Sequence, residues 1–285
     1  MKGRRKKGKT ASSGKPPTDF TVPREACTFY DTVYGEGPEP EGARYEGRDE
    51  GERKAVDAFL GRWCRGGAVL EVGCGHGPYQ DRCPNYVGTD ISARCARFLR
   101  KPFVVASASA LPFADESFDA VFTLHTLEHV HAPQGMLEEI LRVVAPDGAV
   151  FLMPSWYVRP WARYGLGKRV YADLPFRLRA LKVFLPLLES FPLRAAWVLP
   201  RRALHFVRAM LLGKPAPLFF KWVQANYERF VDSDSDACVS IDPFDVILFY
   251  HTRGCRFPTA GTWWKKFTFR TGPLVVVKGE GAPRW

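Results

Sequence analysis

The chain has 285 residues, of which 46% are hydrophobic and 25% charged, the composition of an ordinary globular protein. A chain of this length can bury a core and needs no disulfides to hold it together. Its seven cysteines show no CxxC pair, which argues for a reducing compartment and against a disulfide framework or a zinc site. The N-terminus lacks the apolar run of a secretory signal, and no run of about eighteen apolar residues predicts a spanning helix. We therefore expect a cytoplasmic protein.

The formal net charge of +11 is unevenly distributed along the chain. Residues 1–18 contain seven Lys/Arg and no acid, and residues 174–214 contain eight against Glu189 alone. The remaining residues carry 26 Lys/Arg and 29 Asp/Glu, so they are slightly acidic. Proteins that bind nucleic acid usually place their basic surface on the binding domain itself. Nucleic acid is therefore a disfavoured partner, and the two basic segments suit an anionic membrane surface or another polyanion.

The first half of the chain alternates between predicted helices and short buried strands. Residues 1–19 are predicted to be a disordered tail, 31–51 a loop or lid, and Glu52–Cys64 an amphipathic helix. Five apolar runs are typical of buried parallel strands: Ala68–Val72, Tyr86–Thr89, Phe103–Ala106, Phe118–Leu124 and Ala149–Met153. Helices are predicted between them over Ser92–Arg100 and Pro133–Val144. This alternation predicts a Rossmann-like, doubly wound, mostly parallel α/β sheet.

The second half departs from this alternation. Four prolines interrupt 174–214 and are expected to limit it to several short helices. One more helix is predicted over Pro243–Arg253, and Trp263–Arg270 with Pro273–Lys278 predict a C-terminal antiparallel hairpin. The sheet domain is thus assigned to 20–155 and 239–285. Residues 156–238 form a helical insertion, either a cap or a membrane-interface element.

A glycine-rich turn follows the first predicted strand. Val69–Gly77 reads VLEVGCGHG, with the acid Glu71 in the strand and glycines at Gly73, Gly75 and Gly77. Glycine lets the backbone turn sharply and lets a ligand approach main-chain amides. The GxGxG spacing differs from the GxGxxG of dinucleotide folds and suits a nucleoside carrying an amino-acid tail. Glu71 would accept from the ammonium group of that tail, and the alternative is a glycine-rich junction without a ligand.

A second acid ends the next predicted strand. Tyr86–Asp90 reads YVGTD, and Asp90 follows Glu71 by nineteen residues. An acid at the tip of the second strand accepts hydrogen bonds from ribose hydroxyls. Taken alone, Asp90 would more often be a helix N-cap. Because the glycine-rich turn precedes it, we expect Asp90 to bind a ribose.

Five motifs follow one another in a fixed order: EVGCGHG, VGTDIS, Ala110–Phe113 with Ser117–Asp119, Leu127–Val130 and Pro146–Gly148. Over residues 52–153 and the C-terminal helix and hairpin, the chain resembles the class I S-adenosylmethionine-dependent methyltransferases of the small-molecule type 11 group. The resemblance implies a methyltransferase with S-adenosyl-L-methionine as its cofactor. It also implies further cofactor contacts from Cys74, Ile91, Ser107, Ala108 and Leu124. Such proteins commonly place an acid near the adenine amino group, where this chain has the neutral residues 107–110.

The motif after the fourth predicted strand lies where the transferred methyl group would meet the acceptor. Leu124–His129 reads LHTLEH and resembles the ExxEH motif of ubiquinone-pathway O-methyltransferases, with His125 in place of the first acid. That motif can hold a divalent cation, but magnesium prefers oxygen ligands to two imidazoles, so no metal is expected. His129 is predicted to be a general base that Glu128 or His125 orients. The alternative is a Glu128–His129 pair that only shapes the pocket.

These observations predict methyl transfer to an oxygen of a small-molecule, lipid-linked or glycan acceptor. Two other classes stay open: an inactive partner protein that binds the cofactor, and a nucleic-acid methyltransferase that uses the basic tail. The segment 174–214 suits an interfacial helix pair in peripheral contact with an anionic membrane, and equally a cap with its leucines packed inward. The alternating acids of Asp232–Asp242 are interpreted as a helix-entry turn.

Overall fold

The computed structural model describes residues 22–35, 50–167, 169–227 and 234–279. The predicted tail 1–19 and the loop residues 36–49 lie outside the described residues. For residues 31–35 the predicted loop is wrong, because helix α1 spans Arg24–Gly35. Phe29, Tyr30 and Tyr34 recur at helical spacing there, and the helix ends where the glycine- and proline-rich run begins.

A central six-stranded sheet confirms the predicted α/β fold class. Its strands are β1 (Val69–Val72), β2 (Tyr86–Asp90), β3 (Phe103–Val105), β4 (Phe118–Leu124), β5 (Val144–Met153) and β8 (Leu274–Val277). The order is β3-β2-β1-β4-β5-β8, with all neighbours parallel except β5 and β8. Helices α2 (Glu50–Trp63) and α3 (Pro133–Val143) match their predictions closely. The helix predicted over Ser92–Arg100 is instead a 3₁₀ helix, Ala93–Phe98, with Ser92 as its N-cap.

Between β5 and β8, the described residues form four α-helices and two strands. They are α4 (Phe176–Leu188), α5 (Phe191–Leu212), β6 (Phe220–Trp222), β7 (Val239–Ile241), α6 (Pro243–His251) and α7 (Trp263–Thr268). Strands β6 and β7 form a separate antiparallel pair. The prediction of several short helices over 174–214 is wrong, because α5 continues through Pro200 for 22 residues. Proline removes one N–H and kinks a helix without always ending it.

The C-terminal hairpin differs in its first arm. Trp263–Thr268 is helix α7 rather than a strand, and β8 pairs antiparallel with β5 instead. The Thr262 side chain accepts from the Lys265 N–H and caps the helix, and Phe267 packs edge-on against Phe244. The prediction of a strand over Trp263–Arg270 is therefore wrong, because the aromatic side chains of this run pack as a helix against a neighbouring helix.

Two cores cover the two faces of the sheet. One lies under α2 and contains Val56, Phe59 and Phe151, and the other lies under α3 and α6. Cys64, after α2, is paired with Cys83, with Cα atoms 6.1 Å apart. The sequence argued against a disulfide framework and did not predict this pair. The two residues are nineteen apart without a motif spacing, so only the packing of α2 reveals their contact.

Candidate functional site

The turn after β1 has the backbone conformation that its glycines allow. Gly73, Gly75 and Gly77 have φ values of +72°, +49° and +61°, a region that other residues rarely adopt. A Cβ at Gly73 would lie 2.3 Å from Thr126 Oγ1, and one at Gly75 would lie 3.0 Å from the Tyr34 hydroxyl. Glycine is therefore required at these positions by both backbone angle and space.

Two buried carboxyl groups stand beside this turn. Glu71 in β1 accepts a hydrogen bond from the Tyr86 hydroxyl, and burial raises the pKa of its carboxyl to about 8. Asp90 ends β2 and accepts from the Gly75 N–H at 3.0 Å and the Ser92 N–H at 3.1 Å. Burial raises the pKa of Asp90, and these backbone donors act in the opposite direction. The parallel register of β1 and β2 brings both acids to the carboxyl edge of the sheet, where open α/β sheets bind ligands.

The other predicted cofactor residues lie at the same edge or follow its strands. Cys74 is buried in the turn, Leu124 is buried at the end of β4, and Ile91 follows Asp90. Ser107 and Ala108 lie in the turn after β3, where the Ser107 side chain accepts from the Ser109 N–H at 3.3 Å. Left-handed glycines without side chains and two acids beside them fit a nucleoside with an amino-acid tail. The individual cofactor contacts stay predictions.

The structure brings His125, Glu128 and His129 together after β4. Glu128 Oε1 lies 3.9 Å from His125 Nδ1 and 4.0 Å from His129 Nε2, so it stands between the two imidazoles. The same oxygen accepts from the Ser155 N–H at 2.7 Å, and the Glu128 side chain is buried. His125 also contacts Glu52 of α2 through Nε2, at 2.9 Å. Glu128 is thus fixed by the backbone after β5 and can orient both histidines.

A fourth side chain, Asp236, completes this cluster. Its Oδ2 lies 3.1 Å from His129 Nδ1 and accepts from the Tyr30 hydroxyl at 2.7 Å. Burial alone would lower the pKa of His129, but the hydrogen bond to Asp236 and the nearby carboxylates raise it to about 9. Since Nδ1 faces Asp236, Nε2 is the ring atom directed away from this bond. His129 therefore carries a proton at neutral pH and loses it only towards pH 9.

Comparison with known proteins gives the family of the central part of this chain. Residues 70–152 match a family described as "Methyltransferase domain". A demethylmenaquinone methyltransferase of Renibacterium salmoninarum is 36% identical over 125 residues, which cover 41% of this chain and 50% of that protein. An uncharacterised methyltransferase of Mycobacterium tuberculosis is 33% identical over 117 residues, or 37% and 46% of the two chains.

The chain carries a class I methyltransferase domain. The matched residues belong to the type 11 group of these domains, whose cofactor is S-adenosylmethionine. The chain spans about half the length of the curated relatives it matches. Among solved structures, a methyltransferase of Thermotoga maritima, described as a possible histamine N-methyltransferase, is 23% identical with a TM-score of 0.38. The aligned region covers 45% of this chain and 60% of the Thermotoga maritima chain.

Helix α1 covers the glycine turn of the methyltransferase domain, and the sequence analysis did not predict this. Tyr34 packs edge-on against His76 in the turn, with ring centres 5.3 Å apart. Asp31 accepts from the Ser92 hydroxyl at 2.6 Å, next to Asp90. The stacked pair Tyr30 and Tyr34, four residues apart, was the helical signal available in the sequence.

Asp234 and Asp236 were also missed as site residues. Within the predicted helix-entry turn, Asp242 does cap α6 by accepting from the Phe244 N–H at 2.9 Å, while Asp232 lies outside the described residues. Asp234 instead offers an oxygen that lies within 4.8 Å of ligand atoms of Glu128 and His129. These three groups could hold a cation, and Glu128 Oε2 is buried without a hydrogen-bond partner among the described residues. The expected absence of a metal stays a prediction.

Proposed function

We propose that the protein transfers a methyl group from S-adenosylmethionine to an oxygen of a small-molecule, glycan or lipid-linked acceptor. The proposal is supported by one arrangement: the glycine turn, Asp90 and the His125–Glu128–His129 cluster share the carboxyl edge of the sheet. The named curated relative acts on demethylmenaquinone, according to its name, which favours a small-molecule acceptor. The cytoplasmic location expected from the sequence stays a prediction.

The chain's own residues divide into binding and proton-transfer roles. S-adenosylmethionine supplies a methyl group already activated by its sulfonium, so the protein mainly aligns donor and acceptor. Asp90 would bind the ribose hydroxyls and Glu71 the ammonium group, while Ser107 would accept from the adenine. Gly73, Gly75 and Gly77 carry no Cβ, so a ligand could approach the backbone of the turn closely.

His129 is proposed to remove the acceptor's hydroxyl proton through Nε2. Asp236 holds Nδ1 and stabilises the protonated ring, which favours proton uptake from the acceptor. An imidazole with a pKa of about 9 is a strong base, but most of it is already protonated at neutral pH. The rate of methyl transfer should therefore rise with pH until about 9.

Cofactor binding is tested by calorimetry on Asp90→Asn. We expect the Kd for S-adenosylmethionine to rise at least tenfold, about 1.4 kcal/mol, because a neutral amide accepts less strongly than a carboxylate. Asp115→Asn is the matched control, since Asp115 is exposed beside Arg142. Unaltered affinity in a folded Asp90→Asn protein would contradict the proposed cofactor site.

Acceptor class is tested with tritiated methyl donor and cell extracts separated into lipid, glycan, small-molecule and RNA fractions. We expect label in one of the first three and none in RNA. Label that alkaline hydrolysis releases comes from a methyl ester, and label that product analysis finds in a methyl ether is also bound to oxygen. Either result supports O-methylation. Cofactor binding without transfer into any fraction would favour the inactive partner protein, and label in RNA would favour the nucleic-acid methyltransferase.

A further inference from the structure

Helix α5 exposes an apolar stripe along one side. Leu193, Trp197, Leu204 and Leu211 follow one another at intervals of four, seven and seven residues, which places them on one face of a helix. Trp197 is 67% exposed and Leu211 80% exposed. Val207, which extends the same face, is also exposed. Large apolar side chains therefore face outward over most of the length of α5.

The opposite face of α5 packs against the protein and includes charged side chains. Arg202 is 1% exposed and bonds Asp242, while His205 Nδ1 lies 2.6 Å from Asp245 Oδ1 on α6. Ala209 also packs there, in a small apolar cluster with residues of α6. A surface helix of a globular protein in water normally turns its large apolar side chains to the core. Most of those of α5 face outward instead.

Helix α4 continues this exposed surface. Phe176, Val183 and Leu187 lie on one side of α4 at intervals of seven and four residues, and all three are exposed. None of the thirteen residues of α4 is buried. We name the surface of Phe176, Val183, Leu187, Trp197, Leu204 and Leu211 the apolar face. Exposed apolar side chains gathered on two neighbouring helices are typical of an interaction site.

Length and composition point the same way. No single helix among the described residues is long and apolar enough to span a membrane. Helices α4 and α5 reach the required length and hydropathy only together, and they are bent by 73° at their junction. Bent amphipathic pairs of this kind suit a position in the plane of the interface rather than across it.

The charges around the apolar face decide which partner fits. Arg177, Arg208 and Lys214 are exposed on the same two helices and the residues after them, whereas Glu189 is the only acid in 174–214. Exposed arginines beside apolar side chains match anionic head groups above acyl chains. Trp197, an amphipathic ring with a polar N–H, favours that boundary as well.

We propose that the apolar face inserts into the surface of an anionic lipid bilayer and docks the protein there. The helix pair is attached close to the candidate site: the Trp161 N–H donates to Glu189 at 3.2 Å, and Arg194 stacks over Tyr157. Tyr157 lies two residues after Ser155, whose N–H holds Glu128. Resting on the proposed function, this docking presents the site to acceptors in the membrane surface and favours the lipid-linked class.

The test is co-sedimentation of the full chain with vesicles of phosphatidylcholine alone or mixed with phosphatidylglycerol. We expect binding to the mixed vesicles that weakens with salt. The double change Trp197→Ser/Leu211→Ser should reduce the partition coefficient between vesicles and water at least tenfold, because it removes two large apolar side chains from the acyl region. Val33→Ser/Val105→Ser, which changes two exposed apolar residues elsewhere, should bind like the unaltered protein. Arg177→Gln/Arg208→Gln/Lys214→Gln should remove the preference for phosphatidylglycerol.

Three outcomes would overturn the proposal. The unaltered chain could fail to sediment with mixed vesicles, or Trp197→Ser/Leu211→Ser could bind as well as the unaltered chain. Alternatively, the unaltered chain could form a dimer in solution that this double change dissociates, which would assign the apolar face to a second copy. All three measurements need no methyl donor, so their failure is distinct from failure of the proposed methyl transfer.

Discussion

At the scale of single residues, Asp236 determines what His129 can do. An imidazole near its ordinary pKa changes charge around neutrality, whereas the buried Asp236–His129 pair keeps the proton on His129 up to about pH 9. Because the folded pKa lies above the ordinary value, protonated His129 contributes stability that is fully present below about pH 6.5, as long as Asp236 stays ionised. That contribution is lost as the pH rises through the folded pKa.

Asp236→Asn should shift the activity profile. Removing the carboxylate leaves burial to lower the pKa of His129, so the acidic limb of the rate against pH should move down by at least one unit. Tyr30→Phe removes only the hydroxyl that donates to Asp236 and should move the limb less. Initial rates measured from pH 6 to 10 with labelled donor give the comparison. Identical limbs in Asp236→Asn and the unaltered protein would show that His129 is not the base.

At the scale of elements, α1 forms a wall over the cofactor turn. Its contacts are few and specific: Tyr34 against His76, and Asp31 on Ser92. Ser92 is the N-cap of the 3₁₀ helix that follows Asp90, so the position of α1 is linked to the residue proposed to bind the ribose. Helix α1 therefore lies against the proposed cofactor site although it is distant in sequence from the glycine turn.

Asp31→Ala should loosen this wall. The loss of its hydrogen bond to Ser92 should raise the dissociation rate constant of S-adenosylmethionine severalfold, with a smaller effect on association. Stopped-flow fluorescence with excess unlabelled cofactor measures this rate. Thr28→Ala on the same helix is the control, because the Thr28 hydroxyl bonds only the Arg24 carbonyl within α1. Equal dissociation rates in the three proteins would mean that α1 does not retain the cofactor.

At the scale of the whole molecule, Arg202 connects the insertion to the C-terminal part. Its guanidinium donates to Asp242 at the start of α6 and to the Tyr157 hydroxyl. It also donates to the carbonyl of Phe267, within α7, and to that of Phe269, which follows α7. Both Arg202 and Asp242 are buried, and Arg202 holds the pKa of Asp242 below its ordinary value against the opposing effect of burial. A buried charge of this kind is tolerated because the guanidinium is paired with a carboxylate and donates to further oxygen acceptors.

Arg202→Leu should lower the free energy of unfolding by about 2 to 3 kcal/mol, since Asp242 loses its fully buried charged partner and keeps Arg201 and the Phe244 N–H. Chemical denaturation measures the loss, and Arg208→Leu on the exposed side of α5 is the control with little expected effect. The contribution of Asp242 should be present above about pH 4 and disappear as the pH falls through its lower folded pKa. A loss below 1 kcal/mol would show that the buried pair does not hold the insertion in place.

The sequence by itself determined the features that depend on residues close together along the chain. The strands β1, β2, β4 and β5 follow from short apolar runs, and the turn at Gly73, Gly75 and Gly77 follows from the conformations that only glycine adopts readily. Those features give the fold class and the cofactor edge, because parallel strands end at the same edge. The motif Leu124–His129 likewise gave the local trio, since its members are separated by only a few residues.

The tertiary structure alone decided which distant residues meet. Asp236 reaches His129, and Tyr30 reaches Asp236, over separations that no periodicity encodes. Trp263–Thr268 is helical and its Phe267 packs against α6, although the run was predicted to be a strand. The leucines of 174–214 give the same pattern whether they face inward or outward. The buried contacts of Arg202 with Asp242 and of His205 with Asp245 fix the rotation of α5, which turns most of its large apolar residues away from the core.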